Sequence, residues 1–293
     1  MSDSIIAQIK KCIAFVFIKN GESVHPNGTG FFVSIPTGYD DSKSYKYFVT
    51  AKHVLQDLNG NFHPSIGIRI NKQNEGSDII WLQKDALHIY THHDNDVDIA
   101  LFPFVPDDNI YDYLSIGMEL LSNPNIIRED KIEEGVDVLF TGLFTSHIGE
   151  KRNQPIVRFG KVALLSDEKV EWREENKPPQ KLDLYLMECQ SYGGNSGAPV
   201  FFKLDRLRDA GSNTIKGEQY YLAGIMKGYF NATNPIQVTQ TDYQLHVTQN
   251  IGIAGVVPAF KLYEILHNDT LAKARTDNDA ANKNKLSTDT KIR

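Results

Sequence analysis

Apolar positions along the chain gather in short runs with polar text between them. The runs are Cys12 to Ile18, Gly30 to Ile35, Tyr47 to Thr50, Ile66 to Ile70, Ile79 to Leu82, Ile99 to Phe102, Val136 to Gly142, Val157 to Leu165, Leu182 to Met187, Pro199 to Phe202, Tyr220 to Met226 and Ile251 to Val257. Gly, Asn, Asp and Pro clusters separate them. Segments of this length, rich in β-branched and aromatic residues and bounded by turn formers, predict strands. Sustained helical periodicity is rare. It is clearest over Pro258 to His267, where Phe260, Leu262, Tyr263, Ile265 and Leu266 supply one apolar face. A single helical turn is expected around Tyr111 to Leu121, and the polar stretch 269–293 is expected to be a disordered tail.

The pattern therefore predicts an all-β protein, and composition narrows what it can do. A chain of 293 residues with 41% hydrophobic and 10% aromatic content has a globular composition. A formal net charge of −6 speaks against nucleic acid as a ligand, because phosphate binding needs a basic surface. Cys12 and Cys189 are too few for a disulfide framework, which points to a reducing compartment and a cytoplasmic location. Met1 to Lys11 has no apolar leader core, and Cys12 to Ile18 is too short to span a bilayer, so no membrane association is expected. The triplets at Asn27, Asn231 and Asn268 are read as chance. Thr91 to Asp96 carries two adjacent histidines without paired metal-ligand spacing, and it reads as a solvated loop. No metal and no cofactor is expected. The stretch Glu171 to Lys181 and the stretch Asp205 to Glu218 read as long loops near a cleft, where a regulatory protein partner would meet the chain.

The chemistry is concentrated in Tyr192-Gly193-Gly194-Asn195-Ser196-Gly197-Ala198-Pro199-Val200. A serine held in a glycine-rich turn before an apolar strand is how a nucleophile is presented. Gly194 and Gly197 can take backbone angles closed to other residues, which would aim the amides of Gly194 and Ser196 at one spot. Such a serine needs a base and an orienting acid. His53 follows the strand-like Phe48-Val49-Thr50, and Asp98 heads Ile99-Ala100-Leu101. Asp96 competes with Asp98, which is favoured because it directly precedes the apolar run. Asn27 to Val33 reads as a turn leading into a strand that pairs with the histidine strand. Cys189 is a rival nucleophile without the glycine-rich setting.

The strings GTGFFV, TAKHV, DIALF and GNSGAPV, in that order, resemble the chymotrypsin/trypsin-like serine peptidases, in particular their bacterial HtrA-like branch, over about residues 11 to 267. The resemblance implies two antiparallel six-stranded β-barrels with a short C-terminal helix. The first would run from about 11 to 105 and the second from about 131 to 257, with a linker over 106–130 and the helix over 258–267. No PDZ-like second domain is visible. It also implies an intracellular serine endopeptidase acting on a protein or peptide substrate. His53, Asp98 and Ser196 would form the triad, with Gly194, Asn195 and Ser196 the oxyanion segment. Gln190 would lie at the floor of the P1 pocket, with Lys227, Gly228 and Ala254 on its walls. No acidic residue stands at that floor, and Lys227 would favour an acidic or polar P1 residue. Asn195 stands where many secreted relatives carry an aspartate that pairs with a newly cut N-terminus, so activation without such a cut is expected. A latent, partner-gated binding module and a serine esterase are the alternatives.

Overall fold

The computed structural model describes residues 3–173, 178–205, 218–236 and 245–290. Helix α1 (Ile5–Lys11) comes first, capped by the Ser4 hydroxyl, which accepts from Ala7 N at 3.2 Å. Strands β1 (Ile13–Asn20), β2 (Ser23–Pro36), β3 (Ser44–Thr50), β4 (Ser65–Asn71), β5 (Ser77–Gln83), β6 (Tyr90–Thr91) and β7 (Ala100–Pro103) then form one sheet. Its order is β5-β4-β1-β2-β3-β7-β6, with β8 (Ile116–Gly117) added in parallel to β2. Helix α2 (Pro124–Glu129) leads into β9 (Asp137–Gly142), β10 (Ile156–Leu165), the small hairpin β11 (Val170–Trp172) and β12 (Gln180–Leu182), then β13 (Tyr185–Glu188), β14 (Pro199–Asp205), β15 (Glu218–Ile236) and β16 (Leu245–Pro258). Six of these close into a barrel in the order β10-β13-β16-β15-β14-β9. Helices α3 (Ala259–Leu266) and α4 (Asp269–Thr290) complete the described chain.

The near-continuous apolar runs have a physical cause in how the two halves pack. Successive strand side chains point to opposite faces, so a strand with core on both sides shows no alternation. In β1, Ala14 and Val16 face the first half's own core with Phe32, Phe48 and Phe102, whereas Ile13, Phe15 and Phe17 join a cluster shared with the second half. The second half mirrors this. Val138, Phe140, Val200 and Phe202 lie inside the barrel, while Leu139 and Phe201 join the shared cluster, to which α3 adds Leu262, Ile265 and Leu266.

Three expectations need correction. The first half is an open sheet, not a closed six-stranded barrel. Closure would require β5 to pair with β6, and Tyr90–Thr91 is too short to supply that ladder. The polar stretch after residue 268 is helical over Asp269–Thr290 and docked: Leu271 is buried, Arg275 reaches the Tyr47 hydroxyl at 3.1 Å, and Asp279 accepts from Tyr45 at 2.6 Å. Between the halves, the helical turn expected around Tyr111 to Leu121 is confined to Met118–Leu120. The true helix is α2, where Asn123 caps and Pro124 occupies the first turn. Part of each expected cleft loop, residues 174–177 and 206–217, lies outside the described residues.

One further tie fixes how the halves meet. The buried guanidinium of Arg69 on β4 donates to Gly149 O at 2.9 Å and Glu150 O at 3.0 Å, carbonyls of the loop after β9. Asn153 locks the same loop, donating from its amide to Arg69 O at 2.7 Å.

Candidate active site

The segment after β3 cannot continue the ladder and folds into a 3-10 turn, Lys52–Leu55, anchored by buried Val54 and Leu55. This turn leaves the His53 ring partly exposed while its inner edge meets Asp98. His53 Nδ1 lies 2.6 Å from Asp98 Oδ2, and the His53 amide donates to Asp98 Oδ1 at 3.0 Å. Buried Val97 and Ile99 flank Asp98 and fix its backbone, and the Lys52 amide donates to its carbonyl at 3.3 Å. Burial alone would push the Asp98 carboxyl up. The charges of His53 and Lys227 and the hydrogen bonds from His53 outweigh it and hold the group well below the usual carboxylate range. Asp96 takes no part: its amide caps Asp94 in an exposed turn.

The glycine-rich loop is seated on the same strands. Gly194 and Gly197 have φ of +93° and +83°, which an L side chain rarely adopts. At Gly197 a Cβ would also collide with Thr29 O and Thr50 Oγ1, so the loop can approach β2 and β3 there only as glycine. Thr29 uses all its polar atoms at this junction. Its amide donates to Ser196 O at 2.9 Å, its hydroxyl donates to Gly194 O at 2.7 Å and accepts from Leu143 N at 2.9 Å, and its carbonyl accepts from Thr50 Oγ1 at 2.6 Å. Asn195 is buried, accepts from Tyr192 N at 3.0 Å and donates to Leu143 O at 2.7 Å. Among the described residues, the Gly194 and Ser196 amides donate to no protein acceptor.

Two placements differ from expectation. Lys227, expected on the P1 wall, is buried and sends its ammonium to Asp98 Oδ2 at 3.0 Å, so the acidic P1 preference built on it is withdrawn. The Ser196 hydroxyl donates to Lys227 O at 3.0 Å. Gln190, expected at a pocket floor, is exposed and accepts from the Tyr192 hydroxyl at 2.5 Å. Gly228 pairs with Gly255, and Ala254 with Tyr229, across β15 and β16.

The crystal structure of the MamO protease domain from Magnetospirillum magneticum, in its apo form, matches with a TM-score of 0.52 at 14% identity, covering 90% of this chain and all of that one. The chain has a trypsin-like protease fold. The active form of the Rv3671c protease from M. tuberculosis is also similar, at a TM-score of 0.46 and 12% identity over 89% of this chain and 82% of that one. No protein-family model and no curated protein matches the sequence.

Around this site several residues stand otherwise than their sequence context suggests. Trp172, in the stretch Glu171 to Lys181 that reads as a long loop, is buried over Gly228 and Gly255 of the β15–β16 pair. A Cβ on Gly255 would come within 2.7 Å of its indole, and its ring lies 5.3 Å from the Lys227 ammonium. Its only sequence signal is one large aromatic among charges. His92, read as part of a solvated loop, is buried and meets Glu264 at 2.5 Å. Cys12 and Cys189 are buried, and burial pushes their thiols up to about 12 and about 11, with Arg158 opposing it at Cys189. A thiol so disinclined to ionise is a poor nucleophile. Among the described residues no group of His, Cys, Asp and Glu could hold a metal ion, and no helix is long and apolar enough to cross a membrane.

Proposed function

We propose that the protein is an intracellular serine endopeptidase that cleaves a protein or peptide substrate through an acyl-enzyme. The observation that carries this is the buried Asp98 carboxylate bound to both His53 Nδ1 and the His53 amide, which fixes the imidazole tautomer with Nε2 turned outward. In a Ser-His-Asp triad a buried aspartate holds the imidazole in this way. Ser196 Oγ attacks the scissile carbonyl while its proton passes to His53 Nε2. The oxyanion forms against the Gly194 and Ser196 amides, and the imidazolium then gives its proton to the leaving amine. The hydrogen bonds of Asn195 hold the oxyanion loop without an ion pair, so activity requires no cut near the N-terminus. Two buried, unpaired thiols agree with a reducing compartment.

A second reading has its own support. The Ser196 hydroxyl rests on Lys227 O, so it must turn to reach His53. Resting catalytic hydrogen bonds are often unmade until substrate binds, but a site held in this state until a partner docks would be latent. The deciding experiment treats the purified chain with a fluorophosphonate and reads adduct mass, beside Ser196→Ala, His53→Ala and Asp98→Asn. Labelling lost in the first two variants and slowed at least a hundredfold in the third, together with cleavage of a mixed peptide library, supports the peptidase. An unlabelled native chain overturns it in favour of latency, and turnover of esters without peptides favours an esterase.

A further inference from the structure

Lys227 touches two of the three residues assigned above. Its ammonium stands 3.0 Å from Asp98 Oδ2, the oxygen that also meets His53 Nδ1, and its carbonyl accepts the Ser196 hydroxyl at 3.0 Å. Both charged side chains are almost wholly buried, at 7% and 6% exposure, and the Trp172 indole covers the ammonium. A carboxylate at such depth needs a countercharge. His53 supplies one only while protonated, yet a histidine that is to take a proton from Ser196 must be neutral. In that state Lys227 still pairs with the carboxylate.

We propose that Lys227 is a positioning residue of this site: its ammonium is the standing countercharge that keeps Asp98 ionised beside a neutral His53, and its carbonyl parks the Ser196 hydroxyl at rest. The inference rests on the triad reading. Without Lys227, the His53–Asp98 pair retains its shared proton to higher pH, because giving it up would strand a buried carboxylate. Other charged groups nearby are less intimate. Lys19 of β1, Asp57 and His63 line the open cleft beside His53, and the Lys52 ammonium is bound to Asn95 O at 2.6 Å. None of these is within hydrogen-bond reach of Asp98.

The test compares the full chain with Lys227→Met and Lys227→Gln, reading fluorophosphonate adduct formation from pH 5 to 9 and the low-field proton resonance of the His53–Asp98 hydrogen bond over the same range. Both variants are expected to move the acid limb of the rate profile up by about one pH unit relative to its own plateau, and the pH range of the resonance with it. Well below the midpoint of the limb, a move of that size is about a tenfold loss of plateau-normalised rate against the native chain. A residue that merely packs would lower the plateau and leave the limb in place, and that result overturns the proposal. Gln keeps a donor on Asp98 without charge, so it guards against a folding defect in Met. If neither variant melts cooperatively, Lys227 belongs to folding and the proposal falls. A native chain that never labels, but whose resonance shifts in the variants, sinks the peptidase reading and leaves the Lys227 assignment standing.

Discussion

Thr29 shows how much of the site depends on a residue that carries no chemistry. Its hydroxyl binds Gly194 O and Leu143 N, so it holds the glycine-rich loop against the opposite half of the molecule. Replacing it by valine keeps the shape and removes both bonds, stranding a partly buried carbonyl and a buried amide. The expected cost is about 1–3 kcal/mol in a denaturant titration. Because Gly194 would then be free to turn, the rate of fluorophosphonate labelling should fall more than the affinity for a reversible peptide inhibitor. Equal loss of both would assign Thr29 to general stability instead. His53 and Asp98 stand out in the sequence beside apolar runs and Ser196 by its glycine-rich turn, and of these the direct contact is that of His53 with Asp98. Thr29 and Lys227 were not legible in these roles, since a polar side chain inside strand-like text does not reveal which distant atom it meets.

Elements were legible where burial imposes a period, and lost where contact with the rest of the chain decides. Strands β1 to β5, β7, β9, β10 and β13 to β16 lie under the apolar runs, and α3 under the helical face. Helix α1 was missed although Ser4 caps an Ile5-Ile6-x-x-Ile9 pattern, because the apolar stretch is short. Helix α4 was missed for the opposite reason. It has no apolar face, and its polar composition is what a disordered segment would have. What fixes it is a row of contacts, with Leu271 buried, Arg275 on Tyr47 and Leu266 O, and Asp279 on Tyr45 and Gly38 N. Leu271→Ala should therefore cost about 2–4 kcal/mol, read from the urea midpoint. A change under about 0.5 kcal/mol would mean that the helix contributes little to the fold.

At the scale of the whole molecule, the two halves share a core and a clasp. The shared cluster runs from Phe15 and Phe31 through Leu139 and Phe201 to Leu262, so neither half has a complete interior alone. The clasp is Arg69, whose guanidinium satisfies carbonyls of the loop after β9. Arg69→Met keeps much of the side-chain volume and leaves those carbonyls bare. A loss of about 2–4 kcal/mol is expected, with unfolding still a single transition because the shared core remains. Two separate transitions in the calorimeter would show that the clasp, more than the core, makes the halves one unit. The molecule also carries the means to watch this. It has two tryptophans, Trp81 on β5 and Trp172 on β11, one in each half. Lys19 lies 4.4 Å from the first ring and Lys227 5.3 Å from the second, and of the two rings Trp172 is buried and Trp81 partly so. Both rings touch the shared cluster, so their ultraviolet emission watches the junction from either side, and the lamp in the second half stands beside the Asp98 countercharge.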